Sequence, residues 1–291
     1  MKAVAVTMVW KDYWFLKKWI SYYGSALGEE NLVVISHGDD PLHRKLAGMA
    51  NVVAIPRDGQ ITADYEAQRW VMLSDFAGLL LDRNDVVLCV DVDEIVLPAD
   101  PTQHSLLDVL KIHEAAPVLA PVGVEILPNG PEFDDEKTIF SQTRQALFSS
   151  KYSKPCVIRE PVRWGIGGHG IYGKDWQVSP NLILAHLQYA NPNAFQIRQS
   201  ERLEPENSDS NHVDANALPA WSRKRRHRRG LLNLYERADK QSQPEVLSRA
   251  AELLSQHIRR FQRGTYFRYP PKVAAKHPMG FLLTEDHLAS I

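Results

Sequence analysis

The sequence predicts an α/β protein built on a mainly parallel sheet with helices on both faces. Short apolar, β-branched runs alternate with segments of helical period as far as Asp100, an order that lays successive strands side by side and parallel. The runs lack the polar alternation of half-exposed strands, so their sheet is expected to be covered on both sides. A chain of 291 residues, 44% hydrophobic and of net charge -1, is long enough for one large core or two modest ones.

The first strand is Ala3 to Val9, which reads as core because Lys11 and Asp12 cut the apolar run too short for a signal segment. Tyr13 to Tyr23 follows at near-helical spacing. Asn31 to Ser36 is a second buried-type strand, ending in the turn His37-Gly38-Asp39-Asp40-Pro41, and Asn51 to Ile55 is a third. From Thr62 to Leu81, Tyr65, Trp70, Leu73, Phe76 and Leu80 fall on roughly one helical face, with Thr62 or Asp64 as N-cap. Val86 to Val90 then forms a fourth strand, delivering Asp91, Asp93 and Glu94 at its end.

Charge in that position calls for compensation. Alternation along a strand places Asp91 and Asp93 on one face and Glu94 on the other. Two carboxylates side by side repel unless a cation lies between them, and oxygen donors suit Mg²⁺ or Mn²⁺. Acids at a strand end also cap turns, so context must decide. Ligands of parallel sheets bind at the carboxyl ends of the strands, and that rim receives Asp39 and Asp40 as well as the Asp91 to Glu94 cluster.

Beyond Asp100 the pattern mixes. Ser105 to Ala115 reads as a helix, Val118 to Ile126 as a strand, and Pro128 to Asp135 as a loop. Lys154 to Gly173 combines short strands with glycines around His169, and Asn181 to Leu187 is a strand holding His186. Gln243 to Phe261 carries Val246, Leu247, Ala250, Leu254, Ile258 and Phe261 on one amphipathic face. Two cysteines, Cys89 and Cys156, indicate neither a disulfide framework nor a thiolate zinc site, and the chain reads as reduced and cytoplasmic.

Taken together, MVWKDYWFLKKWISYYGSALG, NLVVISHGDDP, the DYEAQRWVMLSDF helix and VVLCVDVDEIVLPAD resemble the opening and D-x-D-E signature of family 2-like glycosyltransferases. The likeness runs over about residues 1–190. It implies a GT-A fold: a nucleotide-binding sheet in a domain of residues 1–205 (donor half 1–100, acceptor half 101–205), followed by a basic, helical C-terminal extension over 206–291. It further implies transfer of a hexosyl-type sugar, with inversion, from a nucleotide-sugar donor to a hydroxyl of a glycan or lipid-linked glycan, as in polysaccharide biosynthesis.

Carried over by position, Asp93 would ligate Mn²⁺ or Mg²⁺, with Asp91 reaching the metal or the donor ribose. Asp39 or Asp40 would lie near base and ribose, and Gln68 and Arg69 would contact the donor. The His37-Gly38-Asp39-Asp40 turn departs from the commoner D-N-x-S-x-D form, which leaves the nucleotide open. For the base that deprotonates the acceptor, His169, Asp175, Glu125, Asp134 and Asp135 are candidates, with Asp175 and His169 preferred for their place in the glycine-rich segment. His186 reads as a satisfied core residue on burial habit and, through the resemblance, as a third metal ligand.

The run Arg223 to Arg229 fits a solvated face, phosphate contact, an acidic glycan, or peripheral docking at the inner face of the membrane. Near-neutral net charge and the lack of a recognised module argue against nucleic acid. Two rival functions share the strand-D-x-D pattern: a haloacid-dehalogenase-like phosphohydrolase with Asp91 as nucleophile, and a non-catalytic nucleotide-sugar or glycan binder.

Overall fold

Strand β1 (Ala3–Val9) is buried along its whole length because it is flanked by parallel strands on both sides. The computed structural model describes residues 1–57, 64–203, 224–261, 265–270, 272–287 and 291. In chain order come α1 (Tyr13–Leu27), β2 (Leu32–His37), α2 (Pro41–Ala47), β3 (Asn51–Ile55), α3 (Tyr65–Leu81) and β4 (Val86–Cys89). The strands stand in the order β3-β2-β1-β4, all parallel, with Ala5 opposite Leu32 and Ala3 opposite Val86. This is the predicted alternation. The chain leaves β1 in one direction toward β2 and returns on the other side at β4, so the topological switch point lies between the carboxyl ends of β1 and β4.

The stretch Val86 to Asp100 is not a single strand. β4 stops at Cys89, Asp91 to Asp93 lie in a turn, and β5 (Glu94–Pro98) leaves in a new direction. After α4 (Leu106–Ile112), capped by Ser105, the long strand β6 (Val118–Leu127) runs through the core. α5 (Ile139–Gln142), β7 (Gln145–Phe148), β8 (Val157–Ile158), β9 (Arg163–Trp164), β10 (Gly170–Tyr172), β11 (Gln177–His186) and α6 (Pro192–Leu203) complete this half. β11 pairs antiparallel with β5, His186 opposite Glu94, and parallel with β6, His186 opposite Glu125. Three titratable residues thereby fall in one line across three strands.

The C-terminal part, expected to be a helical extension, also contributes strands. α7 (Lys224–Arg237) lays Leu231, Leu232, Leu234 and Tyr235 against Leu127 and Leu147. β12 (Asp239–Lys240), α8 (Gln243–His257), β13 (Arg259–Phe261), β14 (Tyr266–Arg268), α9 (Val273–Lys276) and β15 (Met279–Leu282) follow. β15 pairs with β7 and β12 with β15, so this region widens the central sheet while α8 packs its apolar face on β11. A small second sheet, β13-β14-β10-β9, carries the glycine-rich segment at its edge.

Two glycines are required by space. A Cβ on Gly123 would lie 2.1 Å from the Tyr152 carbonyl carbon, so only glycine lets the backbone at Tyr152 and Ser153 press onto β6. Gly168, at φ +66°, has the Trp70 ring where a side chain would go. Cys89 and Cys156 are buried free thiols. Among the described residues no helix is long and apolar enough to cross a membrane.

Candidate active site

The turn after β4 is organised by an internal lysine. Lys154 Nζ lies 2.7 Å from Asp91 and 2.6 Å from Glu94, and the Glu94 carboxylate accepts the Asp91 N–H at 3.1 Å. Lys154 and Glu94 are buried, 2% and 0% exposed. Arg69, projecting from α3, donates to the other Asp91 oxygen at 2.6 Å. Burial works against the charge on Asp91, but Lys154 and then Arg69 outweigh it and hold the carboxyl below its usual range. The expectation that Asp91 and Asp93 share a face is therefore corrected. Because a turn replaces the strand, Asp91 and Glu94 converge on Lys154 while Asp93 turns to another group of charges.

Asp93 is 6% exposed and accepts a hydrogen bond from Arg198, which reaches in from α6. The same oxygen lies 3.3 Å from Nε2 of His186, whose Nδ1 is 2.6 Å from Glu125. Tyr152 stacks on the His186 ring at 3.7 Å. Burial alone would lower the His186 pKa; Glu125 and Asp93 reverse this and raise it to about 9. Arg198 also donates through Nε and Nη2 to Asp12 at 2.6 and 2.8 Å, and Arg202 reaches Asp12 at 3.2 Å. Asp12 and Lys11 both take left-handed conformations, φ 52°. Buried His43 secures that turn, with Nε2 2.9 Å from the Lys11 carbonyl and Nδ1 2.8 Å from the Ser36 hydroxyl.

These donors can be tested against a divalent ion. A carboxylate oxygen and an imidazole nitrogen 3.3 Å apart are spaced as two ligands of one ion, for which bonds near 2.1 Å at right angles give about 3 Å. Glu125 behind the ring is the carboxylate partner that orients a metal-binding histidine. Asp93 and His186 are two such donors once Arg198 leaves the Asp93 oxygen and His186 gives up the Nε2 proton that its raised pKa keeps on it. Asp91, both of whose oxygens are held by cations of the chain, is not a third. Among the described residues no group of three or more such side chains is placed to hold an ion, so the remaining ligands would come from the donor's diphosphate.

A cavity of about 380 Å³ opens at the switch point. Arg57, Arg69, Lys151, Lys154, Arg198 and Arg202 line it together with Asp12, Glu66, Asp91 and Asp93, giving a cationic excess. Trp10 forms one wall, with the Arg57 guanidinium 3.8 Å above its ring. His37 stacks on Tyr65 at 5.5 Å, and its Nδ1 accepts from the Tyr65 hydroxyl at 3.0 Å and from Arg57 at 3.2 Å. His169 also lines the cavity; its Nδ1–H donates to the Lys151 carbonyl at 2.9 Å, which leaves the Nε2 lone pair unused by that bond. Burial, then Lys154 and Lys151, hold its pKa well below the ordinary value, so the ring is neutral.

Burial, aided by Arg57 and Arg69, lowers His37 from 6.5 to about 4. Between these values the unfolded chain binds a proton that the folded ring refuses, so stability is expected to fall as pH drops from 6.5 toward 4. One proton gives a slope of at most about 1.4 kcal/mol per pH unit. Denaturation of wild type and His37→Asn across that window checks it: the variant is expected to lose this part of the slope, and an unchanged slope would contradict the assignment.

The remaining candidates lie outside the cavity. Asp39 is exposed and pairs with Arg44 at 2.7 Å, and Asp40 caps α2 through the Leu42 N–H at 2.8 Å while accepting from the Tyr13 hydroxyl at 2.6 Å. Gln68 is exposed on the face of α3 that turns away from the cavity, beside Val71 and Leu79, and Asp175 is exposed on the loop after β10. Asp135 holds the Trp14 indole at 2.8 Å and Asp134 is exposed beside Lys137. Thr62, Arg223 and the side chains of 224–226 fall outside the described residues.

No family model matches the chain, and no curated protein matches it. Among solved structures, mannose-1-phosphate geranyltransferase from Thermus thermophilus aligns with TM-score 0.31 and 13% identity, over 72% of this chain and 66% of that one. A CMP:2-keto-3-deoxy-manno-octonic acid synthetase complexed with CTP aligns with TM-score 0.28 and 14% identity, over 55% and 65%. The chain thus spans just under two thirds of those proteins' lengths. Likeness of this degree carries no information on substrate.

Proposed function

We propose that the protein is a glycosyltransferase that moves a hexosyl-type sugar, with inversion, from a nucleotide-sugar donor to a hydroxyl of a glycan or lipid-linked glycan. The observation that supports this best is the cationic cavity at the β1/β4 switch point, which carries the Asp93–His186–Glu125 line on one wall and neutral His169 on another. Arg57, Arg69 and Arg202 suit the donor's diphosphate, and Trp10 and Tyr65 offer faces for a base. A Mn²⁺ or Mg²⁺ ion held by Asp93 and His186 would neutralise the leaving diphosphate. Asp91 positions Arg69 and Lys154 on the phosphate side. The basic run Arg223 to Arg229, of which Arg229 is exposed among the described residues, is the candidate for peripheral contact with anionic lipid beside a lipid-linked acceptor.

His169 takes the proton from the acceptor hydroxyl through Nε2. The Lys151 carbonyl fixes its tautomer, and burial keeps it neutral at the pH where it acts. His169→Gln is expected to lower kcat by roughly 10²- to 10⁴-fold with little change in donor affinity. Loss of donor affinity in parallel with kcat would make His169 a packing residue instead. The function itself is tested by incubating the protein with UDP-, GDP- and CMP-sugars and Mn²⁺. Slow release of nucleotide without acceptor is expected from one of them, and release from none, alone or with glycan acceptors, would overturn the reading.

A further inference from the structure

We propose that Arg198 and the divalent ion are alternative partners of Asp93, so that the ion and the donor's diphosphate enter the site together by exchanging places with this internal ion pair. The inference rests on the proposed function. Its observations are that Arg198 is 4% exposed and that its guanidinium spans two carboxylates at once. Nη1 donates to Asp93, while Nε and Nη2 hold both oxygens of Asp12 at 2.6 and 2.8 Å. The Asp93 oxygen that Arg198 takes is the one facing His186 Nε2 at 3.3 Å. A guanidinium and a divalent ion bonded to that one oxygen would be two cations in near contact, and their repulsion makes them alternatives.

As the ion arrives, His186 releases its Nε2 proton to solvent and keeps Nδ1 on Glu125, and the other buried charges each retain a partner. Arg198 gives up one of its contacts and keeps its fork on Asp12, with the Phe15 ring 4.3 Å away as a further support. Its released Nη1 remains in the cavity wall, where a phosphate oxygen supplies the acceptor that Asp93 no longer provides. The ion takes Asp93 and the diphosphate takes Arg198, so the two arrivals cancel each other's charge. Either one alone has to break the Asp93–Arg198 pair without replacing what Arg198 or Asp93 loses. The consequence is positive coupling between metal and nucleotide, reciprocal by linkage.

Arg198 is thus a positioning residue whose variants act in opposite directions. Free Mn²⁺ can be followed by electron paramagnetic resonance as it is titrated with protein, alone and with UDP, GDP or CDP. In wild type, one of these nucleotides is expected to tighten Mn²⁺ about tenfold or more. In Arg198→Met, Mn²⁺ alone is expected to bind about tenfold more tightly than to wild type, with the coupling lost. In Asp12→Asn, Arg198 rests on Asp93 alone, and Mn²⁺ alone is expected to bind more weakly than to wild type. General destabilisation would weaken binding in both variants, so opposite signs separate the exchange from damage to the fold. Equal Mn²⁺ affinity in wild type and Arg198→Met, or weakening in both variants, overturns the exchange and leaves the glycosyltransferase reading standing. No Mn²⁺ binding to any of the three proteins overturns both.

Discussion

Asp93→Ala is expected to reduce transfer by about a thousandfold or more while leaving most of the fold intact. The carboxylate it removes is the point where Arg198 and His186 meet and, in the proposed function, half of the protein's hold on the metal. Structural damage is limited because both cations keep a second partner, Arg198 on Asp12 and His186 on Glu125. The loss of stability should therefore stay near the roughly 1–3 kcal/mol of a disrupted buried polar contact. Steady-state kinetics and chemical denaturation on the same preparation check the two halves. A variant that unfolds with wild-type activity per folded molecule would refute the assignment.

Lys154→Met is expected to show chiefly a large loss of stability, because the ammonium of this cavity-lining residue ties Asp91 to Glu94 and lies 5.6 Å from the rings of Trp70 and Tyr152. It would strand Asp91 beside Arg69 alone and leave Glu94, 0% exposed, without its cation. Breaking a buried pair from one side typically costs about 3–5 kcal/mol. Glu94 is already pushed toward its neutral form by burial, with Asp91 adding to the effect and Lys154 opposing it, so removing the lysine makes the carboxyl protonate or the turn rearrange. Glu94→Gln/Lys154→Met is expected to recover part of the loss, since the amide carries no charge. Urea denaturation of the two variants decides it, and a change below about 1 kcal/mol for Lys154→Met would show that the turn does not depend on the lysine.

The strands and helices up to Cys89 were legible because buried parallel strands announce themselves as uninterrupted Val, Ile, Leu and Ala runs, and α1 and α3 keep a helical period. The site was legible only as far as local sequence reaches. Asp91, Asp93, Arg69, His169 and His186 were singled out and line the cavity. Asp39, Asp40, Gln68 and Asp175 were singled out too and lie elsewhere, because acids next to glycine and proline serve turns and caps as readily as ligands. Alternation misled at Asp91 and Asp93, since a strand that ends at Cys89 no longer imposes a period of two.

Asp12, Lys154 and Arg198 were missed for a different reason. Each acquires its role from a partner far along the chain, Asp12 and Arg198 being separated by 186 positions and Asp91 and Lys154 by 63. One signal was present for the lysine: three acids at the end of a buried strand require buried positive charge, which a metal can supply and a lysine can supply equally well. Lys154 stands just before Val157 and Ile158, which pair with Leu88 and Val87 of β4, and no local pattern announces that pairing.

The most direct test of the proposed function is isothermal titration of UDP-, GDP- and CMP-sugars into wild-type protein and Asp93→Ala, with and without Mn²⁺. One donor is expected to bind wild type more tightly with Mn²⁺ than without it, and the metal-dependent increment is expected to vanish in Asp93→Ala. Donor binding that ignores Mn²⁺ and survives Asp93→Ala unchanged would contradict it.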